Sequence, residues 1–371
     1  MAESSQLANE IKRLIRSSGP MPVWRYMELC LMHPEHGYYV SRDPLGREGD
    51  FTTAPEVSQM FGELLGLWAG SVWRAIGSPE PVRLVELGPG RGTMMADALR
   101  ALRVLPPLYQ TLSVHLVEIN PVLREKQKSL LTGLRNIAWH DSLDEVPEGP
   151  AIILANEYFD VLPIHQVVRR ETGWHERVVE LDDDGMLGFG AAPEPLPRFD
   201  VLLPPLVRAA PVGAVFEWRP DTEIMEVASR LRDQGGAALI IDYGHVRSDA
   251  GDTFQAIARH SFTDPLKSPG QADLTAHVDF QALAQGAEAV GARVHGPITQ
   301  GEFLRRLGIE TRAVTLMTKA SHEASEDIAG ALKRLTGGGR SGMGSLFKVL
   351  GVSAPQLASL PGLSDEQPAD A

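Results

Sequence analysis

The sequence predicts an open α/β fold of the doubly wound, Rossmann-like kind, and three observations carry that prediction. An apolar run (Val82, Leu84, Val85, Leu87) closes on Glu86-Leu87-Gly88-Pro89-Gly90-Arg91-Gly92, and Met95, Ala98, Leu99 and Leu102 then recur at helical spacing. Three further apolar runs, Val114 to Val117, Ile137 to Trp139 and Ala151 to Leu154, end respectively in Glu118, His140-Asp141 and Asn156-Glu157. A fifth, Ala237 to Ile241, ends in Asp242-Tyr243-Gly244-His245. Buried parallel strands with polar tips describe the ligand crevice of an open α/β sheet, which lies outside the carboxyl ends of its strands.

The glycine loop lets a ligand lie against bare backbone at the positive end of the following helix. Its spacing is G-x-G-x-G, and Thr93 stands where a dinucleotide fingerprint places its third glycine, so a nicotinamide dinucleotide fits poorly. Glu118, 26 positions after Gly92, is an acid at the tip of the second strand, where paired O–H···O⁻ bonds would hold a ribose diol. Glu86, Glu118, Asp141 and Glu157 together make an anionic ring that would repel a diphosphate. A cationic nucleoside suits it better, and S-adenosyl-L-methionine carries a sulfonium.

Composition sets the bounds. With 371 residues the chain is long for one compact domain, so an enlarged α/β domain or a core with a subdomain is expected. A formal net charge of −13 argues against non-specific nucleic-acid binding. The single cysteine, Cys30, excludes an internal disulfide and any cysteine-based zinc site. No apolar run approaches the length of a membrane span. Glu3 and Glu10 in an N-terminus without a continuous apolar stretch resemble neither a secretory signal nor an acid-poor transit peptide, so the expected location is cytoplasmic.

Taken in order, residues 3 to 17 predict an amphipathic helix with Leu7, Ile11, Leu14 and Ile15 on one face and Ser4 or Ser5 as its cap. Met27 to Met32 predicts a second helix, halted at His33-Pro34. A long polar loop, Gly46 to Glu56, precedes a helix from Val57 to Ile76 with an apolar stripe of Phe61, Leu64, Leu65, Trp68, Val72 and Ala75. After the strands of the core, Gln166 to Val179 predicts an antiparallel hairpin around Gly173, followed by a turn at Asp182-Asp183-Asp184-Gly185. The proline-rich piece 193 to 212 is expected at the surface. A helix capped by Asp221 or Thr222 runs through Arg232 and stops at Gly235-Gly236. Gly251 to Asp279 is turn-rich, Phe280 to Ala289 helical, and Ala292 to Ile298 and Ser345 to Val352 supply the last strands, with helices over much of 301 to 336 between them. The polar tail after Ala354 is expected to be loosely ordered.

Six stretches carry a family resemblance: Gly49-Asp50-Phe51-Thr52-Thr53-Ala54-Pro55-Glu56-Val57-Ser58-Gln59-Met60-Phe61-Gly62-Glu63, Val85 to Thr93, Ala155-Asn156-Glu157-Tyr158-Phe159-Asp160-Val161-Leu162-Pro163, Ile241 to His245, Ala272 to Phe280 and Met343 to Leu350. Together the chain resembles the MidA family of class I S-adenosylmethionine-dependent methyltransferases, relatives of the mitochondrial arginine methyltransferase that assists complex I assembly. The likeness spans about residues 20 to 352. It implies a seven-stranded Rossmann-like methyltransferase sheet over 79–165 and 235–353, an N-terminal helical extension with an active-site loop over 1–78, an inserted subdomain over 166–234 and a flexible tail over 354–371. It also implies an arginine acceptor in a protein, a subunit of complex I. A methyltransferase-fold assembly chaperone without turnover and a small-molecule methyltransferase are the alternatives.

The expected cofactor residues are Glu86, Gly88, Gly90, Gly92, Glu118, and Asp141 with Ser142, the last two facing the adenine amino group or capping a helix. Asn156, Glu157 and Asp160 sit where amino-directed methyltransferases bind the acceptor nitrogen. A guanidinium offers only donors, so its productive partners are carboxylates, and Glu157 and Asp160, three apart, would form a fork for one terminal nitrogen. Asp50 and Glu56 would close over the cofactor or line the acceptor channel, with a solvated acidic loop as the alternative. Asp242, Tyr243 and His245 touch the substrate side or serve the fold. His277-x-Asp279 with Asp273 lacks a second nearby histidine or a cysteine, so a hydrogen-bonded loop is expected there and no metal.

Overall fold

The strands named from the sequence assemble into one mostly parallel sheet. The computed structural model describes residues 5–41, 53–133, 136–258, 261–339 and 342–363, and its backbone contacts divide the chain into two units. One holds Thr52–Phe159, Asp221–Val246 and Phe280–Ala371; the other holds Met1–Phe51, Asp160–Pro220 and Arg247–Asp279.

In the first unit we label the strands β1 (Val82–Leu87), β2 (Leu112–Val117), β3 (Ile137–His140), β4 (Ala151–Asn156), β5 (Gly236–His245), β6 (Arg293–Thr299) and β7 (Phe347–Ser353). Their order across the sheet is β3-β2-β1-β4-β5-β7-β6. β1 pairs in parallel with β2 and β4, β2 with β3, and β4 with β5, while β7 runs antiparallel between β5 and β6. The chain steps outward from β1 to β3 and returns to the far side of β1 at β4. A reversal of this kind opens a crevice at the carboxyl ends of β1 and β4, which fixes where a ligand binds.

Helices α1 (Gln59–Ala75), α2 (Thr93–Leu102), α3 (Pro121–Leu130), α4 (Thr222–Gln234) and α5 (Phe280–Ala289) belong to the same unit. Of the α1 stripe expected from the sequence, Phe61, Leu64, Leu65, Trp68 and Val72 share a core with Leu84, Val114, Ile152 and Leu239, while Ala75 at the helix end is exposed. Close packing of α1 on α2 depends on small residues. A Cβ at Gly66 would stand 2.4 Å from the Ala98 carbonyl oxygen, and one at Gly62 would stand 2.7 Å from the Asp97 Cβ. This contact places α1 in the sheet unit and not in the N-terminal extension. The α4 segment, expected in the insertion, likewise belongs to the sheet unit. The helix ends at Gly235, whose φ of 86° suits only glycine well. Residues 355–363 are also packed, contrary to the loosely ordered tail expected: Leu357, Leu360 and Leu363 bury in the same core.

The second unit begins with helices Gln6–Ser18, capped by the Ser5 hydroxyl, and Val23–Met32. The predicted hairpin is present as His165–Arg170 against Gly173–Leu181, and the Asp182 carboxylate accepts the N–H groups of Asp184 and Met186 at the next turn. Leu187–Pro195, Val215–Trp218 and the two-residue strand Met21–Pro22 complete that antiparallel sheet. The proline-rich piece forms two short helices, Phe199–Leu202 and Pro205–Arg208, which bury Leu203 and Val207 while leaving Val201, Leu202 and Leu206 exposed. The turn-rich connection contains a small three-stranded sheet of Gln255–Ala258, Ser261–Thr263 and Asp273–Thr275. Among the described residues no helix is long and apolar enough to cross a membrane.

Candidate active site

The glycine loop runs from the tip of β1 to the start of α2. Gly88, Gly90 and Gly92 all have positive φ, at 63°, 54° and 83°. At Gly88 conformation and space coincide: a Cβ there would lie 3.0 Å from the Tyr158 ring. Gly92 is the N-cap of α2 and offers no side chain to its first N–H groups. Glu56 comes to this helix end instead, its Oε1 accepting the Thr93 hydroxyl at 2.7 Å. Asp50 lies outside the described residues.

Two carboxyls stand at neighbouring strand tips. Glu86 on β1 is 2% exposed, and its Oε2 is buried without a hydrogen-bond partner. Burial, reinforced by the Glu118 charge, pushes its carboxyl well above the usual range. Glu118, just past β2, accepts the Asn120 N–H at 2.8 Å on Oε1 and the Gln127 amide at 3.3 Å on Oε2. Burial pushes Glu118 up to about 7, against the opposing pull of these bonds and of Arg124. Beyond β3, Asp141 is open to solvent and accepts from Arg124 Nη2 at 2.5 Å, and the Ser142 hydroxyl donates to Asp144.

At the tip of β4, Asn156 is buried; its Nδ2 donates to Glu157 Oε1 at 3.2 Å and its Oδ1 has no hydrogen-bond partner. Glu157 follows with φ at +50°, left-handed backbone that glutamate seldom adopts and that costs about 1–3 kcal/mol. Its N–H reaches the Ile241 carbonyl on β5 at 2.9 Å, and its Oε1 also lies 3.4 Å from the Ala54 N–H. Fully buried Asp242 on β5 fixes this turn from beside it. One carboxylate oxygen accepts the Phe159 N–H at 3.1 Å and the other accepts the Tyr243 N–H at 2.9 Å. The Tyr243 ring packs edge-on against Phe347, and His245 ends β5 half-buried.

Asp160 belongs to the other unit, where its carbonyl accepts from Ala276 N–H and from Arg219. The Arg219 guanidinium donates to the backbone carbonyls of Asp160, Leu162, Ala276 and His277. Asp273 accepts the Tyr39 hydroxyl at 2.9 Å, and His277 N–H donates to Thr253. Among the described residues no group of three or more His, Cys, Asp and Glu side chains gathers as metal ligands would.

Sequence reasoning missed two residues. Gln127 on α3 is fully buried and bonded to both the glycine loop and Glu118, and Arg219 ties three separated loops of its unit. A signal for Gln127 existed: with Leu123 and Leu131 it occupies one helical face at i, i+4 spacing, a polar residue between two buried leucines.

A strand-tip crevice at a topological switch, floored by glycine backbone and edged by buried acceptors without partners, is the ligand site of an open α/β fold. The chain belongs to a methyltransferase family: the model described as "Putative S-adenosyl-L-methionine-dependent methyltransferase" matches residues 64–298. It is 38% identical over 387 residues to the Drosophila melanogaster homologue of mitochondrial protein arginine methyltransferase NDUFAF7, covering 96% of this chain and 87% of the relative. To the human mitochondrial protein arginine methyltransferase NDUFAF7 it is 39% identical, over 83% of this chain and 74% of that one. A Burkholderia thailandensis protein solved with S-adenosyl-homocysteine bound superposes with a TM-score of 0.81 at 28% identity, over 97% of this chain and 94% of that chain. The enzyme is an S-adenosyl-L-methionine-dependent methyltransferase.

The residues present fit that cofactor. Orphaned acceptor oxygens on Glu86 and Asn156 face a need for donors, bare backbone lines the loop, and Glu118 offers acceptors for a diol. One expectation is overturned: the cytoplasmic location read from the N-terminus conflicts with relatives that are named as mitochondrial. Acidic residues such as Glu3 and Glu10 near the start of a sequence are a weak guide to compartment.

Proposed function

We propose that this methyltransferase modifies an arginine of a protein substrate, a subunit of respiratory complex I, in support of its assembly. The observation that carries the reading is one buried carboxyl and one buried amide left with open acceptor oxygens at the tips of β1 and β4, Glu86 Oε2 and Asn156 Oδ1. Buried acceptors without partners are costly, and a ligand that brings N–H donors and positive charge offsets that cost. S-adenosyl-L-methionine and a guanidinium both do. The names of the relatives, protein arginine methyltransferases, support the same acceptor.

In this reading Gly88, Gly90 and Gly92 give the cofactor's methionyl part close approach to backbone. Glu86 accepts its α-ammonium, Glu118 its ribose diol, and Asp141 with Ser142 flanks the adenine. The cofactor supplies an electrophilic methyl group. Glu157 receives the acceptor guanidinium, with Asn156 holding the Glu157 carboxylate and Asp160, three residues on, as the second candidate carboxylate. Their work is to orient one terminal nitrogen and to take the proton it sheds once alkylated. Fixing near-attack geometry is worth up to about 7–11 kcal/mol of barrier. Asp242 acts through the turn it caps, and Glu56 through the start of α2. Asp50, Tyr243 and His245 are carried as candidate substrate-side residues.

The test pairs mass spectrometry with binding. Complex I subunits from cells with and without this protein are compared for arginine methylation, and the modified peptide is then used as substrate in vitro. Glu157→Gln and Asp160→Asn should each slow turnover at least about tenfold, about 1.4 kcal/mol of transition-state stabilisation, with S-adenosyl-homocysteine affinity nearly unchanged. Cofactor binding without any methylated subunit would favour an assembly chaperone, and turnover on a free metabolite would favour a small-molecule enzyme. Either result removes the arginine assignment.

A further inference from the structure

One buried side chain joins the glycine loop to Glu118 and to Trp139. Gln127, on the second turn of α3, donates from Nε2 to the Gly90 carbonyl at 2.6 Å and to Glu118 Oε2 at 3.3 Å. Its Oε1 accepts the Trp139 indole N–H at 2.8 Å. An indole nitrogen can only donate, so Trp139 on β3 fixes which way the amide points. Both amide hydrogens are thereby committed to the glycine loop and to the carboxylate, and the side chain is fully buried. Its methylenes also pack under the loop, since a Cβ at Gly92 would stand 3.3 Å from Gln127 Cγ.

We propose that Gln127 is a positioning residue for cofactor binding: an oriented amide that locks the Gly90 turn to Glu118 and holds Glu118 in its ionised, diol-accepting form. The inference rests on the placement of the ribose at Glu118 proposed above. The near-isosteres fall short of this in the same space. Asparagine is one methylene short, methionine has no donor, and an ionised glutamate would oppose both acceptors. The ionisable groups facing Glu118 are Glu86 from β1, whose own carboxyl is pushed up by burial and by the Glu118 charge, and Arg124 from α3, which favours ionisation of Glu118 and is itself shared with Asp141. His140, whose carbonyl accepts the Glu118 N–H, is the remaining titratable neighbour, and burial holds its imidazole neutral to lower pH than usual. Against that background the Gln127 bond is one of the contacts that keep the Glu118 carboxyl from rising further than about 7.

The experiment measures S-adenosyl-homocysteine affinity by calorimetry from pH 6 to 8.5 for the full chain, with thermal unfolding of the ligand-free protein as the folding control. Wild-type affinity should fall as pH drops through about 7, because protonated Glu118 loses half its acceptor capacity. Gln127→Met should weaken binding about tenfold at pH 8 and move the midpoint of that fall upward by about one pH unit. Uniform weakening with an unmoved midpoint would reduce Gln127 to a prop for the loop and overturn the proposal, as would unchanged affinity. If Gln127→Met does not fold, Trp139→Phe frees the amide to turn and should shift the midpoint in the same direction; no shift there also overturns it. Glu118→Ala separates the two readings. If it leaves affinity intact, the ribose assignment fails and this inference with it; if it weakens binding while Gln127→Met does not, only the inference fails.

Discussion

Replacing Glu86 by glutamine should make the ligand-free enzyme more stable and the cofactor weaker, two effects of opposite sign from one atom. Glu86 is buried at the β1 tip with Oε2 unpartnered, and burial together with the Glu118 charge pushes its carboxyl well above the ordinary 4.5. The unfolded chain releases that proton near 4.5 while the folded chain keeps it to higher pH. Over that interval the folded state binds more protons, so stability falls as pH rises. Glutamine keeps the shape and removes the liability. Its gain is therefore absent below about pH 4.5 and grows above it, by no more than about 1.4 kcal/mol per pH unit. Glutamine leaves a polar atom in that buried place and removes only the ionisation, so Glu86→Gln should raise the ligand-free melting temperature at pH 8 and leave it unchanged below about pH 4.5. S-adenosyl-homocysteine should bind about tenfold to hundredfold more weakly, from loss of one charge-assisted bond of about 1.5–3 kcal/mol. Scanning calorimetry and titration calorimetry on one preparation read both. A variant that melts lower at pH 8 while binding S-adenosyl-homocysteine as wild type would refute the reasoning, because Glu86 would then be a fold residue.

Two further outcomes follow from the same geometry. Asp242→Asn keeps one acceptor oxygen where two N–H groups, from Phe159 and Tyr243, now converge, so the Glu157 turn should loosen; kcat should drop about tenfold while S-adenosyl-homocysteine affinity moves less than about threefold in steady-state and calorimetric assays. Arg219→Lys removes a planar fork that satisfies carbonyls of Asp160, Leu162, Ala276 and His277, and urea unfolding should show a loss of about 2–4 kcal/mol.

The sheet was legible because each core strand is a short apolar run closed by a polar tip, and parallel strands buried on both faces read in that way. The strand-tip residues Glu86, Glu118 and Asn156-Glu157 were legible for the same reason. The unit boundaries were not. One unit gathers three segments as far apart as Gln6–Ser18 and Asp273–Thr275, and no local composition announces which distant segments share a core. The small three-stranded sheet escaped because Ser261–Thr263 and Asp273–Thr275 are three residues each, too short to show a period of two. Gln127 sits in Arg124-Glu125-Lys126-Gln127-Lys128, a stretch whose charges read as a solvated face. The strain at Glu157 is a product of tertiary contacts, the Ile241 carbonyl on one side and Asp242 holding the next turn, and leaves no mark in composition.

The charge distribution at the strand tips also explains why a glycine loop of this kind selects its ligand. Arg124, a cation beside Glu118, is committed elsewhere: its Nη2 goes to Asp141 and its Nε to the Glu118 backbone carbonyl. Glu86 is left with an open oxygen in a buried place, and Glu118 is held near the edge of ionisation by the same burial. A dinucleotide would bring its pyrophosphate to the loop beside these carboxyls and raise the cost of every charge there. In the proposed reading a ligand with an ammonium, a sulfonium and a diol does the reverse, because it brings positive charge and donors to a place where Glu86 Oε2 and Asn156 Oδ1 lack them. The departure of Thr93 from the dinucleotide pattern and the buried carboxyls of Glu86 and Glu118 both disfavour a pyrophosphate at this loop, one through backbone spacing and the other through charge.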